Sequence, residues 1–266
     1  MSVALRMALE RDPDVALGTI TTAATALGVA VVAGVAEAPS RGLHLSSAWP
    51  FLLAGLLSPG AAQILVTIAI RDSGASRVSM VFGTAPVVSV AIALIFLGEP
   101  ARAPLIAGAV LVVAGGVELA RERERPAHLN RLGLLYAFAG ASLFAVRDNL
   151  VRHLAVGQTV VPPAVAAASA LLGGTALIAV WARQGIGRRW LRFVPAGLLF
   201  GGSYVALFEA YYRGRVTVVA PLVAIESLVG VALSALLLRD SELVGKRLLL
   251  GAALIVVGGA LIGATR

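Results

Sequence analysis

The chain has 266 residues, of which 59% are hydrophobic and 14% charged, against about 25% charged in an average soluble protein. A mean hydropathy of +0.91 leaves too many apolar runs for one soluble core to bury, so a multi-pass membrane protein is indicated. The net charge of +8 sits as arginines between apolar runs, which fits a membrane surface better than nucleic acid, and the lack of cysteine excludes disulfide and thiol chemistry.

In chain order, residues 1–14 are not a secretory signal, because Glu10, Arg11, Asp12, Pro13 and Asp14 interrupt them before an apolar core develops. Residues 2–9 predict one or two helical turns. Apolar spans follow at 15–36, 48–70, 76–97 and 103–120, with Pro59-Gly60 inside the second and Pro86 near the middle of the third. The stretch 121–131, R-E-R-E-R-P-A-H-L-N-R, is the most charged in the chain and marks the boundary between halves. Further spans are expected at 132–154, 162–182, 193–212, 216–238 and 248–264, with Pro221 inside the fourth of these. Prolines 86 and 221 are tolerable there because neighbouring groups can re-satisfy the freed carbonyls.

The two halves repeat a pattern. Glu99 precedes Gly108 by nine residues and Glu242 precedes Gly251 by nine; Gly115-Gly116 and Gly258-Gly259 then follow at equal distances. Such symmetry between halves marks membrane transporters built from repeats. Gly108 and Gly115, and likewise Gly251 and Gly258, lie a heptad apart, which suits close helix packing. The second half has five spans and the first four, so a complete first repeat would have one more helix, ending where residues 2–9 stand.

These motifs resemble the drug/metabolite transporter superfamily in its EamA-type branch. They are T-A-P-V at 84–87, F-L-G-E at 96–99 and the Gly108 helix, then A-P-L at 220–222, I-E-S-L at 225–228 and the Gly251 helix. Ser227, where the family has proline, and Arg239-Asp240 depart from the pattern. The resemblance implies an all-α membrane protein of about nine transmembrane helices in two inverted EamA-type repeats (4 + 5). The first repeat would cover 1–120, a charged linker 121–131, and the second repeat 132–266. It also implies movement of a small metabolite or drug through a central cavity between the repeats, without naming the substrate.

Glu226 is the foremost candidate for substrate or proton binding, since an ionisable group within a span usually faces a cavity or a partner. A carboxyl hydrogen-bonded to the kinked backbone after Pro221 is the structural alternative. Arg147, Asp148 and Asn149 form a second polar cluster. Neighbours on a helix point apart, so Arg147 and Asp148 are not expected to pair, and Arg147 could instead reach the headgroups. Ser142 and Asn149 share a face. Tyr204 and Tyr136 could line the cavity or pack in the core, whereas Tyr211 and Tyr212 read as interface anchors. Glu99 and Glu242 read as helix caps or partners of nearby arginines. No metal site, cofactor or nucleotide-binding motif is present in the sequence.

The leading expectation is a secondary transporter, and within it an exporter, working by alternating access with proton coupling. The alternative is a non-transporting membrane subunit or a truncated inactive relative. An intramembrane enzyme would need paired catalytic groups at one depth, and none is evident. Expected partners are the lipid bilayer, a small-molecule substrate and protons, with a homodimer as a candidate assembly and no nucleic acid. The expected location is the cell membrane, as a multi-pass protein of a bacterial inner membrane. With the start of the chain inside, fifteen basic residues fall on the cytoplasmic side and six outside. That count puts the end of the chain outside, whereas ten-helix relatives keep both ends in the cytoplasm.

Overall fold

The structure is a computed structural model that describes residues 1–96, 103–120, 131–157, 160–183, 188–223, 225–238 and 246–263. Among them thirteen α-helices and no strand occur. The first half holds α1 (Ser2–Arg11), α2 (Val15–Arg41), α3 (Trp49–Gly55), α4 (Ala62–Ser73), α5 (Ala75–Phe82), α6 (Ala85–Phe96) and α7 (Ala103–Ala120). The second holds α8 (Arg131–Gly157), α9 (Pro163–Ala182), α10 (Val194–Arg213), α11 (Val216–Val223), α12 (Ile225–Leu237) and α13 (Lys246–Gly263). Glu99, Glu242, Arg239-Asp240 and residues 121–130 of the charged linker lie outside the described residues.

Local chemistry sets where these helices start and stop. Asp14 caps α2 by accepting from the Leu17 amide at 3.0 Å, and Gly42, at φ 73°, ends it. Between α3 and α4 the helix widens over Leu56–Ala61, where Ser58 turns extended (φ −148°, ψ 118°) just before Pro59. Proline lacks the amide that a regular ladder needs there. Between α5 and α6 the Thr84 hydroxyl donates to the Val81 carbonyl at 2.7 Å, and Pro86 falls in the first turn of α6, where its missing amide costs nothing. In the second half α11 runs past Pro221 to Val223, and α12 begins anew at Ile225.

Counterpart helices of the two halves pack against each other in opposite directions. Gly108 of α7 faces Gly258 and Ile262 of α13, while Gly115 faces Gly251 and Ile255. A Cβ on Gly115 would stand 2.6 Å from the Gly251 carbonyl oxygen, so only glycine allows this approach. Ile20 and Ala23 of α2 pack with Ile178 and Ala182 of α9, and Gly34 meets Val165 near the opposite end. The broken helices cross likewise, α5 on α12 and α6 on α11. Three antiparallel pairings of this kind describe an inverted repeat.

Apolar side chains such as Val32, Ile95, Phe96, Val180 and Leu236 point outward. So large an exposed apolar surface suits lipid, not water. Among the described residues five segments are long and apolar enough to cross a bilayer: Val15–Arg41, Trp49–Ser73, Ala75–Phe96, Arg131–Gly157 and Pro163–Ala182. The sequence led us to expect nine. α7 and α13 are 18 residues each, about 27 Å against a hydrocarbon core of about 30 Å. Three tyrosines and Glu209 dilute the apolar character of α10, and α11 and α12 are short pieces.

The basic residues divide between the ends of the bundle. At one end Arg6 donates to the carbonyls of Ile70 (3.2 Å) and Arg71 (2.8 Å), Arg192 to that of Arg11 (3.4 Å), and Arg189 pairs with Asp12 at 3.2 Å. At the other, Arg41 pairs with Glu37 (3.0 Å) and Glu209 (3.5 Å), and Arg152 donates to the carbonyls of Tyr211 and Tyr212. Glu37 also accepts from the Ala164 amide at the start of α9.

Candidate functional site between the two halves

The sequence of α10 places Phe200, Tyr204, Phe208 and Tyr211 at steps of four, four and three residues, which puts all four on one face. Phe200 meets Tyr204 edge-to-face and Tyr204 stacks on Phe208, with centroids 5.4 Å and 4.9 Å apart. Phe144 of α8 meets Phe200 edge-on at 6.5 Å. Into this aromatic wall α8 inserts Arg147. Its guanidinium carbon lies 4.6 Å from the centroid of Tyr204, 5.2 Å from that of Phe144 and 5.7 Å from that of Phe208. A cation on three ring faces is stabilised by their quadrupoles, and more so away from water.

Arg147, Asp148 and Asn149 are all buried. The Arg147 Nε is 2.9 Å from Asp148 Oδ1. Pairing of these two corrects the expectation that they would diverge. An arginine side chain is long enough to fold back along its own helix, and in a dry interior the two charges favour closeness. The pair is imperfect, since Nε and Nη1 of Arg147 and Oδ1 of Asp148 complete no hydrogen bond. Asn149 acts differently: its amide donates to the Ala145 carbonyl at 2.9 Å and to the Ser89 carbonyl of α6 at 3.2 Å, tying α8 to α6. Arg147 therefore does not reach toward the headgroups. Tyr211, read from sequence as an interface anchor, is fully buried, with its hydroxyl beside Asp148.

A cavity of about 170 Å³ opens in front of the pair. The first half contributes Phe82, Gly83, Ala85 and Ser89, around the break between α5 and α6. The second contributes Phe144, Arg147, Asp148, Phe200 and Tyr204, with Ala220, Val223 and Glu226 around the break between α11 and α12. The α5–α6 and α11–α12 breaks, counterparts in the two halves, thus meet at one chamber, the arrangement by which repeat-built transporters form a site. Glu226 sits in the first turn of α12, is exposed, and also borders a second cavity beside α1. Tyr204 donates to the Ser58 carbonyl at 2.9 Å and so satisfies a group freed by the break at Pro59.

Tyr136 is not brought to this chamber; it packs half-buried with Leu134 and Phe144 against a cluster that contains Val66 and Ala137. Ser142 also lies off the chamber and donates to its own helix at Phe138. Sequence reasoning misses Phe144 and Phe208 and gives Tyr211 only an anchoring role, although the spacing along α10 holds the signal for the latter two.

The family model described as the EamA-like transporter family matches the chain twice, at residues 1–118 and 131–264. No curated protein matches the chain. Among solved structures, one titled only "Crystal structure of protein" superposes with a TM-score of 0.68 at 22% identity, over 98% of this chain and 93% of that one, which establishes likeness of fold. With both halves matched in tandem, the chain belongs to the EamA-like transporter family.

Proposed function

We propose that this protein is a secondary carrier that crosses the cytoplasmic membrane nine times and exports a small metabolite by alternating access. The observation that carries this reading is the chamber of about 170 Å³ walled by both halves at the α5–α6 and α11–α12 breaks. Its volume is below the about 300–1,000 Å³ of sites for drug-sized ligands, which favours a small metabolite over a bulky drug. No nucleotide-binding motif is present in the sequence, so a proton or substrate gradient drives the cycle, and Asp148 and Glu226 are the two acids on the chamber wall. Antiparallel packing of the halves supports rocking of one against the other about a fixed site.

The test is counterflow of labelled acidic, basic and neutral metabolites in vesicles containing the full chain. Exchange that Tyr204→Trp blocks by filling the chamber supports the carrier. Folded protein that exchanges no compound class would favour the non-transporting reading.

A further inference from the structure

We propose that Arg147 is the binding site for the carboxylate of a small organic anion with an apolar, aromatic-compatible body, and that Asp148 takes up a proton when the anion binds. This rests on the carrier reading above and names its substrate class. Arg147 is 2% exposed and fronts the chamber; its Nε faces Asp148 at 2.9 Å, and its terminal Nη1 completes no hydrogen bond. The rings of Phe144, Tyr204 and Phe208 crowd the guanidinium and Asp148 holds its Nε side, which leaves the terminal edge for a ligand. An edge of N–H groups is the geometry that carboxylates accept in a bidentate manner. The rest of the chamber is mainly apolar, with Phe82, Phe200 and Val223 facing the space an organic body would fill.

Charge balance leads from there to the proton. In the empty state Asp148 neutralises Arg147 at 2.9 Å. An entering carboxylate that bonds Arg147 adds a second negative charge to a buried site. An unmatched buried charge costs far more than a proton transfer, so the site neutralises instead. The proton comes from the water that admits the anion and settles on Asp148, next to the Tyr211 hydroxyl. Among the described residues, the other titratable or charged groups facing this pair are Tyr204 of α10, Glu226 of α12 and the amino group of Met1, and α6 presents Ala85 and Ser89. Glu226 also fronts the chamber, but the acid paired with Arg147 is Asp148, so a carboxylate arriving at the guanidinium crowds Asp148 first.

The test is calorimetric titration of the purified full chain in detergent with benzoate, benzamide and benzylamine. Each is run in two buffers of different ionisation enthalpy. The expected result is binding of benzoate alone, with about one proton taken up per anion. Asp148→Asn should bind benzoate at least as well and take up none. Arg147→Gln should weaken binding about tenfold or more; because that change strands Asp148, the neutral pair Arg147→Gln/Asp148→Asn is measured beside it and should also fail to bind. Benzamide or benzylamine binding as tightly as benzoate, no benzoate binding by the folded wild type, or proton uptake that survives in Asp148→Asn would each overturn the proposal. Counterflow of benzoate in vesicles separates this from the carrier reading. Binding with proton uptake but no exchange sinks the carrier and keeps the site, whereas exchange of neutral or basic compounds alone keeps the carrier and sinks the site.

Discussion

The hydroxyl of Tyr204 donates to the carbonyl oxygen of Ser58 across 2.9 Å, and so joins the middle of a continuous helix in one half to the interruption of a helix in the other. Both groups are buried. Tyr204→Phe keeps the ring stack but leaves that carbonyl without its donor. The expected loss is about 1 kcal/mol, since such bonds in membrane interiors are worth little more. Thermal unfolding in detergent measures it; an unchanged midpoint would mean that another donor replaces the tyrosine.

The glycines of α7 and α13 carry a second prediction. Gly115→Leu or Gly258→Leu forces the backbones apart, because even a Cβ on Gly258 would stand 2.5 Å from the Gly108 carbonyl oxygen. Loss of stability by roughly 1–3 kcal/mol is expected, as for an overpacked core. Among the described residues neither helix lines the chamber, so ligand binding by the protein that remains folded should be normal. Equal thermostability of both variants and the wild type would refute the packing role.

Glu226 is the acid that the sequence puts forward, yet it stands exposed on the chamber wall while Asp148 is buried. Glu226→Gln should therefore leave proton uptake on benzoate binding intact. Its effect should be confined to affinity, which rises by up to a few fold as a like charge is removed from an anion's surroundings. Proton uptake that vanishes in Glu226→Gln but persists in Asp148→Asn would hand the role to Glu226.

Sidedness can be read with single cysteines, because the chain has none of its own. Arg189 and Arg213 have exposed side chains and belong to the two opposite ends of the bundle. The end with Arg6, Arg11, Arg71 and Arg189 is the more basic and should face the cytoplasm. An impermeant maleimide should then label Arg213→Cys in intact cells and Arg189→Cys only after lysis. The reverse pattern would turn the whole molecule over.

The repeat and its glycines were legible in the sequence because they depend on spacing along the chain. Arg147 and Asp148 were legible as polar residues in an apolar run, but their pairing was not. Residues adjacent on a helix differ by about 100° in direction, and only the reach of the arginine closes that gap. Tyr211 was misjudged from its place two residues before Arg213, when its offset of three from Phe208 is what puts it in the core. Pro59 announced a break, but nothing local announces that the freed carbonyl of Ser58 would be met by a tyrosine 146 residues away. Long-range partners of this kind follow from packing, which the sequence encodes only through the whole fold.

The break at Ser58 has one further effect. In a carrier made of two identical inverted halves, the inward-open and outward-open forms would be related by a two-fold rotation and equal in energy. Here the interrupted α3–α4 segment has α10, an unbroken helix, as its counterpart. Under the proposed alternating access the degeneracy is lifted at that place, and the empty molecule would have a preferred resting orientation. Its sign is written into the difference between one proline-broken helix and one whole one.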